Sequence, residues 1–230
     1  MQRRGRTVEG AVREALRSVT GEELVVWGAG RTDAGAHALG QVAHVHYGGR
    51  PAPERLRAAL NAVLPADVSV VDVARVDDSF HARYSARWRR YRYRWYDRPA
   101  RPALDRRAWH VPQGLDQAAM AEAARVLRGT HDWTTFCSAT EPEGRRTRTV
   151  RQATVVRAGH VVELDLLGEG FLRGLVRGIA GALTEVGLGR RDPAWLGTAL
   201  RARDRRQAAK TAPARGLVLV EVLYAEVAKP

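Results

Sequence analysis

The apolar positions of this chain change period several times, and each change marks an element. Val8, Val12, Leu16 and Val19 fall on one face at helical spacing, and Thr7 stands where the N-cap of that helix belongs. Leu24 to Trp27 and Gln41 to Tyr47 read as strands flanking a glycine-rich loop. Pro53 to Leu64 returns to a helical pattern, with proline in the first turn and Leu56, Leu60, Val63 and Leu64 facing inward. The valine-rich Val68 to Val76 predicts a strand. From Ala86 to Tyr96 the period becomes two, so Tyr91, Tyr93 and Trp95 share one face while Arg90, Arg92 and Arg94 share the other.

Pro99 and Pro102 make Asp97 to Arg107 a linker. Beyond it, Met120, Ala123, Ala124 and Leu127 line a helix from Asp116 to Arg128, which Gly129 ends. The charged tract Glu141 to Arg148 reads as an exposed loop. Val150 to Arg157 and His160 to Leu167 are strands that turn at Gly159; in the second, Val162, Leu164 and Leu166 alternate with Val161, Glu163 and Asp165. Phe171 to Val186 is helical, with Leu172, Leu175, Val176, Ile179 and Leu183 packing and Arg173 and Arg177 four apart on a neighbouring stripe. Gly174, Gly178 and Gly181 cost helix propensity there, which points to close packing against another backbone. A helix from Pro193 to Ala202 and a strand from Leu217 to Tyr224 complete a mixed α/β (α+β) pattern. It divides into two halves, 1–97 and 98–230, each a sheet with helices on one face and a cleft between them.

Charge narrows the partners. Lys and Arg outnumber Asp and Glu by 38 to 25, a formal charge of +13, and the basic residues are almost all arginine. Guanidinium groups grip phosphate in a fork and stack on bases, so a polyanion is the first hypothesis, with an arginine-rich proteome as the compositional alternative. With 45% hydrophobic residues a substantial core is affordable. The single cysteine, Cys137, excludes an internal disulfide and a multi-cysteine zinc site. The sequence shows no long apolar segment and no signal-like N-terminus, so a soluble, cytoplasmic protein with no membrane partner is expected.

Candidate chemistry sits in two stretches. In Gly28-Ala29-Gly30-Arg31-Thr32-Asp33-Ala34-Gly35-Ala36-His37, glycines allow a tight loop, and in an extended segment Arg31 and Asp33 point to one side. An arginine beside it favours the ionised carboxylate that nucleophilic or base catalysis needs; the alternative is that Asp33 only caps a turn. In Ala86 to Tyr96, arginines interleaved with aromatics suit an RNA-binding face, or else an amphipathic strand with a core side and a solvated side.

Together these motifs resemble the tRNA pseudouridine synthase A family. Gly30 to Ala38, GRTDAGAHA, resembles its catalytic loop, which implies that Asp33 is the nucleophile. Arg90-Tyr91-Arg92-Tyr93 matches its RYRY segment and puts the active-site, substrate-binding tyrosine on Tyr91. Phe171 to Leu183 resembles the third motif, whose arginine pairs with the nucleophile; that is Arg177, with Leu175 in place of a methionine of similar volume. His131-Asp132-Trp133 and Lys210 to Leu217 also resemble family segments, so the likeness runs from Thr7 onward. It implies a pseudouridine synthase fold of two ferredoxin-like halves, with antiparallel or mixed sheets flanking a catalytic cleft. It implies isomerisation of uridine to pseudouridine in the anticodon stem-loop of tRNA, with no cofactor and no metal, by a homodimer. Arg31 and Arg177 would hold Asp33 ionised, and Arg90, Arg92, Arg94 and Arg173 would contact RNA.

Family members usually begin with a strand and a loop that this sequence lacks, with Gln2-Arg3-Arg4 as the loop's remnant. A start codon assigned too far downstream is the expectation. His37, His44 and His46 offer no evident fourth ligand, so they are read as strand residues and not as a metal site. The rival from another class is a non-catalytic tRNA-binding protein or RNA chaperone, which would use the same arginines and aromatics without Asp33.

Overall fold

The computed structural model describes residues 6–49, 51–103 and 105–224, so Gln2-Arg3-Arg4 lies outside the described residues. Contacts divide the chain into two compact units: residues up to Gly30 with Val42–Ser85, and Arg31–Gln41 with residues from Ala86 onward.

The first unit opens with α1 (Val8–Thr20), whose cap is the one the sequence predicts: the Thr7 hydroxyl accepts the Gly10 N–H at 3.0 Å. The helix stops at Gly21, which takes a φ of +76°. Three two-residue strands follow in the chain, β1 (Trp27–Gly28) and β3 (Ala43–His44) in this unit and β2 (His37–Ala38) in the second, and then α2 (Pro53–Val63). β1 and β3 pair antiparallel. Ala15, Leu16, Leu24, Val26, Leu56 and Leu60 form a small core of their own. Val63, expected to face inward, is exposed.

Val68 to Val76 is not a strand. Val70 and Val73 lean on the small core, but the backbone bonds that a neighbouring strand would supply come from α2 instead. The Asn61 amide donates to the Val70 carbonyl at 2.8 Å and accepts the Val70 N–H at 2.7 Å, and Arg57 Nη1 donates to the Val71 carbonyl at 3.2 Å. A side-chain amide carries the same donor and acceptor as a peptide unit, so it satisfies the backbone without a ladder.

The second unit contains β4 (Ala86–Tyr96), β5 (Trp109–His110), α3 (Gln117–Ala124), β6 (Gly129–Asp132), β7 (Thr147–Ala158), β8 (Val161–Gly168), α4 (Leu175–Gly187), α5 (Pro193–Ala202) and β9 (Leu217–Tyr224). Its sheet runs β2-β9-β4-β8-β7-β6, with β5 beside the end of β4. β2 joins β9 in parallel, and the other neighbours along this path are antiparallel. Tyr93 and Trp95 of β4 are wholly buried with Leu164, Leu166, Ile179 and Leu183 in the main core. Trp95 Nε1 donates to the Thr184 hydroxyl at 2.8 Å, which leaves no buried donor unpaired at that point.

The strands expected at Leu24 to Trp27 and Gln41 to Tyr47 shrink to β1 and β3, and three further differences from the sequence reading bear on the organisation of the chain. β4 is hydrogen-bonded on both edges, to β8 and β9, so the units divide at Ser85 and Ala86 and not near residue 98. Asp97 is no free linker residue: Arg157 Nη1 and Nη2 reach its two oxygens at 2.9 and 2.6 Å, and the Leu115 N–H reaches Oδ2 at 2.9 Å. Burial pushes this carboxyl up, but the guanidinium and the N–H outweigh it and hold Asp97 below the ordinary carboxylate range. Finally, α4 begins at Leu175 and not Phe171, because Gly174 takes a φ of +74°. Arg173 therefore precedes the helix that carries Arg177. Among the described residues, no helix is long and apolar enough to cross a membrane.

Candidate active site

Asp33 is set in place by the turn it begins. The Ala36 N–H closes on the Asp33 carbonyl at 3.0 Å, with Gly35 at a φ of +82°, a conformation that glycine adopts without strain. His37 and Ala38 then pair with Val218 and Leu219, and the Leu39 N–H donates to the Leu219 carbonyl at 2.8 Å. Gly40 follows flush on the same edge, where a Cβ would lie 2.6 Å from the Val220 carbonyl oxygen. The loop that carries Asp33 is thereby stitched to the sheet of the second unit.

Its partner comes from α4. Arg177 Nη1 donates to Asp33 Oδ2 at 2.6 Å, and both side chains are about a quarter exposed, at 24% and 23%. The same guanidinium donates through Nε to the Ala212 carbonyl at 2.7 Å, and the Ala212 N–H returns to the Arg177 carbonyl at 3.1 Å. Arg177 thus fixes the carboxylate and the 210–213 segment with one side chain, which a planar fork does well. The α4 glycines make this possible: a Cβ on Gly178 would lie 2.2 Å from the Phe136 carbonyl oxygen, and one on Gly181 2.0 Å from that of Lys210. Among the described residues Asp33 Oδ1 accepts no hydrogen bond, so that oxygen keeps its lone pairs for another group.

The other expected residues divide. Arg31 is exposed and lies outside ion-pair range of Asp33, so Arg177 alone of the two holds the carboxylate. Tyr91 lies on the buried face of β4, edge-on to Phe171 with ring centroids 5.1 Å apart. Burial pushes its phenol up to about 12, Arg89 opposing and the Asp33 carboxylate adding to the rise. Next on the same face, the Tyr93 hydroxyl donates to the Pro213 carbonyl at 2.8 Å, and burial raises that phenol too.

Arg90, Arg92 and Arg94 stand on the opposite face, in a lattice of carboxylates. Arg90 meets Asp165 at 3.0 Å and Glu221 at 2.7 Å; Arg92 meets Asp165 at 3.1 Å and Glu163 at 3.5 Å; Arg94 meets Glu163 at 3.0 Å and Asp105 at 2.7 Å. Arg173, by contrast, lines a cleft of about 260 Å³ together with Asp33 and Arg177. Arg205 lines it too, and sequence reasoning passes over that residue. It sits among Arg201, Arg203 and Arg206, where spacing gives no reason to choose one arginine.

A model describing tRNA pseudouridine synthase matches residues 1–85 and 123–225. The chain belongs to the tRNA pseudouridine synthase family. It is 44% identical over 221 residues to the tRNA pseudouridine synthase A of Moorella thermoacetica, covering 96% of this chain and 90% of that one. It is 47% identical over 226 residues to the tRNA pseudouridine synthase A of Azorhizobium caulinodans, covering 96% and 86%. Membership in the tRNA pseudouridine synthase family makes the chain an enzyme of the isomerase class. The matched stretches include Asp33, Arg173, Arg177 and Arg205, whereas Tyr91 falls between them.

Proposed function

We propose that this chain isomerises uridine to pseudouridine in the anticodon stem-loop of tRNA, with Asp33 as the nucleophile. The observation that carries this reading is the Asp33–Arg177 pair in a cleft, with one carboxylate oxygen held and the other open. The reaction breaks the bond from C1′ to N1 and joins C1′ to C5; C5 gives up its proton and N1 gains one, so nothing is oxidised and no co-reactant is consumed. Asp33 attacks ribose C1′ or base C6, or assists elimination to a glycal; each route uses the open oxygen. The base has to leave its stack to be reached, and Tyr91 is proposed to contact the flipped nucleotide. A hydroxyl pushed up to about 12 stays protonated at neutral pH, so Tyr91 would act as a hydrogen-bond donor there and not as a base.

Arg173 is proposed as the RNA contact at the cleft. A phosphate reaching Arg90, Arg92 or Arg94 would have to displace carboxylates, so these three are proposed as contributors to the positive field around the chain rather than as phosphate forks. A homodimer and a cytoplasmic location belong to the same proposal and rest on the family resemblance.

Asp33→Asn tests the reading, because the two side chains have nearly the same shape. Pseudouridine formation on unmodified tRNA, mapped by base-specific chemical labelling, is expected to vanish while tRNA affinity stays within about threefold. Measurable turnover in that variant would remove Asp33 from the role. Wild-type protein that binds tRNA and forms no pseudouridine would make it an RNA-binding protein.

A further inference from the structure

Several arginines of the second unit are neutralised. Arg90, Arg92, Arg94, Arg157 and Arg177 each have a carboxylate within ion-pair distance. Arg173 and Arg205 differ: both line the Asp33 cleft, and among the described residues neither guanidinium has a carboxylate partner. Arg205 Nη1 donates to the Cys137 carbonyl, which orients its fork, and among the described residues its other N–H groups have no acceptor. Glu141 stands close to Arg173, but its Oε1 takes the backbone N–H at 3.0 Å and does not pair with the guanidinium. The same cleft presents hydroxyls. Ser138 Oγ and Thr140 Oγ1 lie 2.9 Å apart and share one hydrogen bond, so one of their two hydroxyl hydrogens remains to be donated elsewhere, and Thr211 adds another hydroxyl. Three arginines against the one carboxylate of Asp33 leave this lining positive and rich in donors. An anion with several acceptor oxygens is the chemistry that satisfies it.

We propose that Arg205, with Arg173 and the hydroxyls of Ser138, Thr140 and Thr211, forms a phosphodiester site beside Asp33 that grips one backbone phosphate of the strand carrying the reacting uridine. This rests on the function proposed above, and it gives Arg205 a positioning role: with the phosphate fixed, the flipped nucleotide enters at one depth and in one orientation relative to the carboxylate.

The test measures binding, so it can be read even if turnover is absent. The full chain and its Arg205→Gln and Arg205→Lys variants are titrated with an anticodon stem-loop RNA over a range of salt concentrations. The same titrations use two RNAs carrying a neutral methylphosphonate on the 5′ or the 3′ side of the target uridine. Wild type is expected to lose about tenfold in affinity for one methylphosphonate RNA and little for the other. Arg205→Gln is expected to bind the natural RNA about tenfold more weakly, with the slope of log Kd on log salt reduced by about one, and to lose nothing further with the neutral phosphate. Arg205→Lys keeps the charge and should keep the slope. Equal losses with the methylphosphonate in wild type and Arg205→Gln, or no loss in wild type, would overturn the proposal. The wild-type arm decides this even if Arg205→Gln does not fold. Competition by inorganic phosphate without any methylphosphonate effect would make the cleft a free-anion site and also overturn it. Pseudouridine formation, measured in parallel, tests the proposed function separately.

Discussion

Two ionisable side chains are held away from their ordinary pKa in opposite directions, and each predicts a pH dependence. Asp97 is nearly buried, with 2% of its side chain exposed, and is held low by Arg157. A lowered carboxylate stabilises the fold fully above the unfolded value, near pH 4, and that contribution fades as acid protonates the folded form. Arg157→Met would strand a buried charge and is expected to cost about 3 kcal/mol at neutral pH in urea unfolding, with the normal acid sensitivity blunted. Tyr91 works the other way. Its phenol, raised to about 12, favours the folded state fully below the unfolded value near pH 10, and this is lost as pH rises toward 12. Tyr91→Phe should therefore flatten the alkaline loss of stability between pH 10 and 12 while keeping the contact with Phe171. Single-turnover rates of the same variant separate its roles: a slower step would mark hydroxyl chemistry, and an unchanged rate would reduce Tyr91 to packing.

At the scale of elements, α4 is the hub on which the site is hung. Its glycines let the Phe136 and Lys210 carbonyls come into direct contact with its surface, and Arg177 clasps Ala212 one turn away from Gly181. Gly181→Ala is expected to cost about 2 kcal/mol, since the added methyl meets backbone that cannot rotate aside. It should also lower kcat by moving the 210–213 segment, and with it the Arg177 fork. Thermal unfolding together with kcat checks both; an unchanged kcat would mean that Arg177 does not depend on that segment. β4 is the second organising element. Its aromatic face builds the core, while its arginines hold Glu163 and Asp165 of β8 and Glu221 of β9. The strand is tied to its neighbours by ion pairs on one side and by ring packing on the other.

At the scale of the whole molecule there are two separate cores of unequal size. Leu16→Ala, in the smaller one, is expected to cost about 3 kcal/mol. Hydrogen exchange should then quicken in α1 and α2 while the amides of β4 and β8 keep their protection; uniform quickening would mean that the cores melt as one. Much of this organisation was legible in the chain. β4 matched because the strict alternation from Arg90 to Trp95 leaves little choice of period, and α5 because it begins at Pro193, where the sequence reading put its start. The pairing of β2 with β9 was not legible, since a two-residue strand has no period and its partner lies near the other end of the sequence. Asn61 standing in for a strand at Val70 left no pattern either. Asp33 and Arg177 were found by motif, and geometry then brought them together. Arg205 became visible only through its place in the lining of the Asp33 cleft.

The edge that carries Asp33 has a consequence for how the protein is made. A ribosome delivers the GRTDAGAHA loop early, but the strand it lies against, Leu217–Tyr224, and the 210–213 segment that braces Arg177 are among the last described residues to be synthesised. Until they emerge, the nascent chain displays the aspartate without its support, and the fully braced site exists only once residues 210–224 have left the ribosome.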